Sequence, residues 1–117
     1  MKLGVVGMGR MGAAIASRLL SVGHEVTVWN RTPQKAQALV SAGAKVALTP
    51  AELASRSEMV ISNLSNAEAI CAAYDGANGL LSGNVEGNLF IEMSTVRPEV
   101  DKALAGRIRN KGAAMIE

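Results

Sequence analysis

The sequence is poor in the residues that several common functions require. It has one cysteine, Cys71, which excludes an intramolecular disulfide and points to a reducing compartment, so a cytoplasmic location is expected. It has one histidine, His24, which excludes a multi-histidine metal site, and no metal is expected. Aromatic residues make up 3% (Trp29, Tyr74, Phe90), too few for platforms on which nucleic-acid bases stack. Neither sign of charge dominates: twelve Lys and Arg stand against ten Asp and Glu, interspersed, for a net charge of +2. No basic stripe suits DNA or an anionic membrane, so neither is expected as a partner. No apolar run reaches the roughly 20 residues a membrane span needs. The start does not resemble a secretory leader, because Lys2 opens a short apolar run that ends in glycines with Arg10 close behind.

What remains is a composition suited to a folded core. Apolar residues are 49% and charged residues 19% of 117 residues, which suggests a single domain over residues 1–117. Short apolar runs alternate with longer amphipathic stretches. The runs are 3–6, 26–29, 45–47, 59–64, 89–93 and 113–116, and several lack polar alternation, as strands covered on both faces do. Between them, 11–22 places Ile15, Leu19 and Val22 at helical spacing before Gly23. Pro33 to Ala42 is alanine-rich and ends at Gly43. Thr49-Pro50-Ala51-Glu52 and Ser65-Asn66-Ala67-Glu68 read as capping boxes, the second opening a helix toward Tyr74. Residues 98–111 put Val100, Leu104 and Ile108 on one face. Residues 75–87 hold four of the twelve glycines and read as a loop with one helical turn at most. Strand and helix in alternation give an α/β fold, a doubly wound parallel sheet of about six strands, whose ligands bind beyond the carboxyl ends of the strands.

The first strand runs into Gly7-Met8-Gly9-Arg10-Met11-Gly12, a G-x-G-x-x-G between a predicted strand and a predicted helix. In the dinucleotide-binding version of this turn, Gly7 permits the tight bend. Gly9 admits a pyrophosphate to the backbone, and Gly12 lets the helix pack on the strand. The helix N-terminus then offers unpaired N–H groups to the phosphates. The alternative is a plain glycine turn. Strand two ends Trp29-Asn30-Arg31-Thr32, with Asn30 where NAD-binding domains carry a ribose-holding acid. Asn30 does not repel a 2′-phosphate, and Arg31 can pair with one. Thr32 adds a hydroxyl and a candidate helix cap, and Lys35 lies one turn on. The cofactor expected is NADP(H), favoured over NAD by tens of fold if one arginine contact contributes about 1.5–3 kcal/mol. Otherwise Arg31 is a solvated surface charge.

These pieces, with Gly23-His24-Glu25-Val26-Thr27-Val28 and Glu92-Met93-Ser94-Thr95-Val96 followed by Pro98, resemble the β-hydroxyacid dehydrogenase family, whose members include 3-hydroxyisobutyrate and 6-phosphogluconate dehydrogenases. The likeness runs in order along the whole chain. The stretch around Asn30-Arg31-Thr32 also looks like the NADP-dependent imine reductases, a related branch. The resemblance implies that Leu64 and Ser65 lie along the cofactor, that Thr95 contacts it near the nicotinamide, and that Ser94 binds the substrate. Ala69 departs from members with a cofactor-contacting asparagine, so that contact is not carried over. Read without the resemblance, Ser94 or Thr95 follows a strand's carboxyl end and offers small hydroxyls, or else caps the next helix.

The family's general acid/base is a lysine of a later segment, on the helix leading to an all-helical second domain. None of Lys2, Lys35, Lys45, Lys102 or Lys111 matches it. No catalytic residue is therefore assigned in this chain. It reads as the cofactor domain of an NADP-dependent oxidoreductase acting on a small 3-hydroxyacid or semialdehyde, inactive alone. The alternatives are an imine reductase domain and a non-catalytic NADP(H)-binding module. A small-molecule substrate is expected of the full enzyme, and the last strand, as an exposed edge, offers a route to a homo-oligomer. Other residues take bland readings. His24 lies in a surface turn and Cys71 is a buried small hydrophobe. Met8 and Met11 line the cofactor's underside or pack the helix. The 99–102 run with Glu99, Asp101 and Lys102 is a solvated helix face.

Overall fold

The apolar runs form six parallel strands in a computed structural model that describes residues 1–94 and 96–116. The strands are β1 (Lys2–Val6), β2 (Glu25–Trp29), β3 (Lys45–Val46), β4 (Met59–Ser62), β5 (Leu89–Glu92) and β6 (Ala114–Ile116). Between them lie α1 (Arg10–Ser21), α2 (Pro33–Gln37), α3 (Pro50–Ser55), α4 (Ala67–Tyr74) and α5 (Pro98–Asn110). The sheet order is β3-β2-β1-β4-β5-β6. Chain order therefore reverses between β1 and β4, and at that switch point the carboxyl ends of a doubly wound sheet leave a crevice.

Period-two alternation divides the core between the two faces. Val5, Val26, Val28 and Ile61 share one face with Met8, Ala16 of α1, and Ala36 and Leu39 near α2. Val6, Val60 and Phe90 share the other with Leu53, Ile70, Leu104 and Ile108 of α3, α4 and α5. The strands are buried on both sides along β1 and β2, hence their unbroken apolar character. On the α1 face the row Val28–Val5–Ile61–Ile91–Ile116 passes from fully buried to 53% exposed at the β6 edge.

Four expectations are corrected. The helix expected over 33–42 stops at Gln37, and a 3-10 turn follows at Val40–Ala42. The Leu39 carbonyl accepts from the Ala42 and Ala44 amides, which folds Leu39 and Ala44 inward toward the short β3. Cys71 is exposed, because Ile70, Ala73 and Tyr74 take the buried stripe of α4. Val22, expected on the buried face of α1, is 51% exposed, since Gly12 and Ala16 carry the close approach. Asp101, expected on a solvated face, is buried one turn from Leu104. The 75–87 segment holds no helix and tucks Leu80, Leu81 and Val85 into the core.

Tyr74 is the largest wholly buried side chain, its ring tilted against Phe90 at 5.8 Å. Among the described residues its phenol oxygen has no well-aligned hydrogen bond, although the Glu92 and Ser62 side chains lie beside it. Burial first, and the nearby Glu92 carboxylate second, push its pKa well above the ordinary 10.0. The folded chain thus holds this proton more tightly than the unfolded chain. Its contribution is fully present below pH 10.0 and is lost as pH rises beyond it. A pH titration of the chain's one tyrosine is expected to show no tyrosinate absorbance near pH 10.0 while the chain is folded, and to show it only as the fold melts. Ionisation near that pH in a folded chain contradicts the burial.

Candidate functional site

The turn from β1 to α1 is built by glycines in three different circumstances. Gly7 has φ +96°, and its amide donates to the Trp29 carbonyl at 3.0 Å. A Cβ there would lie 2.1 Å from the Asn63 carbonyl oxygen, so the turn needs glycine both for its conformation and for its contact with the segment after β4. A Cβ on Gly12 would lie 1.8 Å from the Gly7 carbonyl oxygen, which shows how closely α1 sits on the strand end. A Cβ on Gly9 would meet nothing within 4 Å. Gly9 thus presents bare backbone to open space at the N-terminus of α1. Among the described residues no side chain caps that end, and no acidic residue lies in its first turn. Unpaired amides and the positive end of the helix dipole remain available to an anion.

Asn30 braces this loop. Its Oδ1 accepts from the Met8 amide at 2.8 Å, and its Nδ2 donates to the Thr32 carbonyl at 3.1 Å. The side chain that replaces the ribose-holding acid is therefore committed to the glycine turn. Arg31 and Lys35 are exposed beside it, and neither forms an ion pair among the described residues.

These groups meet in a cleft of about 330 Å³ at the switch point. Of the expected site residues, Gly7, Gly9, Asn30, Arg31, Lys35, Leu64 and Ser65 line it. Met8 is buried beneath the loop, and Gly12 is buried behind it. Arg10 lines an adjoining groove with Met8, Gly9 and Lys35. Met11 is 55% exposed on the first turn of α1 and does not line the cleft. Thr32 is the N-cap residue of α2 by position, without a side-chain capping bond, and is also outside the cleft. Asn63, Asn66 and Glu68 line it and were not foreseen as site residues. Their signal is their place just past the end of β4, but in the sequence Asn66 and Glu68 read as parts of a capping motif. The cap of α4 is Asn66, whose Oδ1 accepts from the Ala69 amide at 2.9 Å, and not Ser65 as expected. That releases Ser65 to the cleft.

Ser94 lies just behind Leu64. Its Oγ accepts from the Leu64 amide at 2.6 Å, and its own amide donates to Glu92 Oε1 at 3.0 Å. Among the described residues the hydroxyl proton of Ser94 has no acceptor. Ser94 does not cap the following helix, whose N-cap residue is Arg97. Thr95 lies outside the described residues. A second groove of about 370 Å³ opens between the starts of α4 and α5, lined by Ser65, Asn66, Ala67, Val96, Arg97 and Val100. No lysine lines it. A larger depression of about 550 Å³ lies by Ser82–Val85 and Lys111, ahead of β5 and β6 and so at the opposite end of the sheet. Its residues meet none of the strand carboxyl ends, so the smaller cleft is the candidate site. Among the described residues no group of three or more His, Cys, Asp or Glu could hold a metal, and no helix is long and apolar enough to cross a membrane.

A parallel sheet in this order, a glycine turn with open backbone and a cleft at the switch point define a dinucleotide-binding domain of the kind oxidoreductases use. Comparison with known proteins gives the same class. The model of the family described as the NAD binding domain of 6-phosphogluconate dehydrogenase matches residues 2–117, and the chain belongs to that family. It is 40% identical over 112 residues to the uncharacterized oxidoreductase YfjR of Bacillus subtilis (strain 168), covering 96% of this chain and 39% of YfjR. It is 38% identical over 116 residues to the cytokine-like nuclear factor N-PAC of Danio rerio, covering 99% of this chain and 25% of that protein. Among solved structures, Psf3 in complex with NADP+ and 2-OPP superposes with a TM-score of 0.91 at 32% identity, over 98% of this chain and 41% of Psf3. An imine reductase of Streptomyces aurantiacus gives 0.87 at 36%, over 98% and 39%. The chain thus spans between 25% and 41% of the length of these proteins.

The two glycines predict opposite outcomes. Gly12→Ala is expected to lower the urea midpoint by the equivalent of about 1–3 kcal/mol at unchanged slope, because backbone must move to admit the methyl. Gly9→Ala is expected to leave the midpoint within about 0.5 kcal/mol, since among the described residues its methyl meets no atom beyond its chain neighbours. Equal destabilisation by both would contradict the packing described.

Proposed function

We propose that the chain is the NADP(H)-binding domain of an oxidoreductase. The observation that carries the NADP reading is the use made of Asn30. With its side chain spent on the Met8 amide, no carboxylate stands at the end of β2, and the exposed Arg31 and Lys35 supply the charge there. Arg31 is the residue to hold the 2′-phosphate, with Lys35 beside it, and the amides of residues 9–12 are the groups to hold the diphosphate. Leu64 and Ser65 lie along the nucleotide, and the family resemblance assigns Thr95, outside the described residues, to its nicotinamide half. The neighbours solved with NADP+ support this choice.

When bound, NADPH supplies a hydride. The substrate of the whole protein is a small 3-hydroxyacid or the matching semialdehyde, with the hydroxyl of Ser94 as a donor to its oxygen. The general-acid lysine belongs to a helical second domain outside this chain, so residues 1–117 bind the nucleotide and do not turn over. A second reading, reduction of an imine, is favoured by the similarity to the Streptomyces aurantiacus enzyme. A lysine in the segment entering the second domain supports the hydroxyacid reading, and its replacement supports imine reduction.

Fluorescence titration with NADPH and NADH tests the cofactor reading. NADPH is expected to bind tens of fold more tightly, as one charge-assisted contact of about 1.5–3 kcal/mol implies. Arg31→Ala should abolish most of that preference and flatten the salt dependence of NADPH binding, leaving NADH unaffected. NADH binding as tight as NADPH would refute the assignment.

A further inference from the structure

Glu92 is the last residue of β5 and pairs in register with Ser62, the last residue of β4. Only 2% of it is exposed. A carboxylate placed there, with no Lys or Arg bonded to it among the described residues, is costly unless its oxygens are used. One is used: Oε1 accepts from the Ser94 amide at 3.0 Å. Ser94 Oγ in turn accepts from the Leu64 amide at 2.6 Å, and the Met93 amide donates to the Ser62 carbonyl at 2.8 Å. These bonds run from the core through the β5–α5 connection to the β4–α4 connection. They tie together the two segments that follow neighbouring strands and border the candidate site. Behind Glu92, its Oε2, the Ser62 and Tyr74 hydroxyls and Asp101 Oδ1 are buried close together, with no well-aligned hydrogen bond to any of them among the described residues. These oxygens come from β4, α4, β5 and α5, and such a set is suited to one internal water with several polar neighbours.

We propose that Glu92 is the positioning residue of the site. It fixes Ser94, and Ser94 fixes the Leu64 amide, so that the two connections are held as one rigid wall. Glu92 touches neither nucleotide nor substrate and acts through Ser94. The rigidity of the wall does not depend on any ligand, whereas its use in seating the nicotinamide half rests on the NADP(H) reading.

Amide hydrogen exchange on the whole 117-residue chain, read by NMR, tests this. Glu92→Ala is expected to speed exchange of the Leu64 amide about tenfold or more relative to Val60 inside β4, the loss of a part-buried hydrogen bond appearing as local opening. Glu92→Gln, which keeps an oxygen acceptor at the same reach, should restore most of the protection. Ser94→Ala should match Glu92→Ala, and the double variant should add nothing to either alone. If Glu92→Ala does not fold, Glu92→Asp replaces it, because its carboxylate is withdrawn by one methylene. Unchanged Leu64 exchange, or additive effects in the double variant, would overturn the proposal. A wild-type chain that shows the expected exchange yet binds no NADPH overturns the nucleotide reading alone. One that binds NADPH with Leu64 indifferent to Glu92 overturns this one alone.

Discussion

The approach of helix α1 to the end of strand β1 governs the rest of the site. The Gly7 carbonyl oxygen occupies space that any side chain at Gly12 would claim, and the Asn63 carbonyl does the same at Gly7. Three segments, the β1 turn, the start of α1 and the strand end of β4, are thereby pressed together with backbone against backbone. Such contact leaves no room for a side chain, and it aims the uncapped first turn of α1 into the crevice between β1 and β4. Gly9 has no such crowding, and its open face is where a diphosphate can come close.

Asn30 links that packing to the choice of nucleotide. A carboxylate at this position would accept from a ribose hydroxyl and repel a second phosphate. The amide instead turns back on the loop, accepting from Met8 and donating to Thr32, so one side chain both braces the turn and leaves the neighbouring charge positive. Arg31 and Lys35 form no ion pair among the described residues, although Glu68 lines the same cleft.

Much of this was legible in the residues. Unbroken apolar runs gave the six strands, and glycine and proline punctuation gave the helix ends to within a few residues. What failed depended on tertiary context. Helical spacing in α5 marked Leu104 and Ile108 as buried, but charge alone assigned Asp101 to solvent, although it lies on the inner side of the same turn. Cys71 lies beside the buried stripe of α4 and not on it, a difference of one residue that composition does not register. The 33–42 helix broke because Leu39 and Ala44 had to enter the core ahead of a two-residue strand. In the site, single post-strand residues such as Arg31 and Ser65 were legible from topology. The Glu92–Ser94–Leu64 connection was not, since it joins residues 30 positions apart through side-chain hydrogen bonds.

The central claim is that bare backbone at the start of α1 receives the diphosphate. Amide chemical-shift mapping of the chain titrated with NADPH tests it most directly. The account predicts the largest shifts at Gly9, Arg10, Met11 and Gly12, with a second group at Arg31 and Lys35. Shifts that leave those amides untouched and gather at the far end of the sheet, around Ser82–Val85 and Lys111, would contradict it.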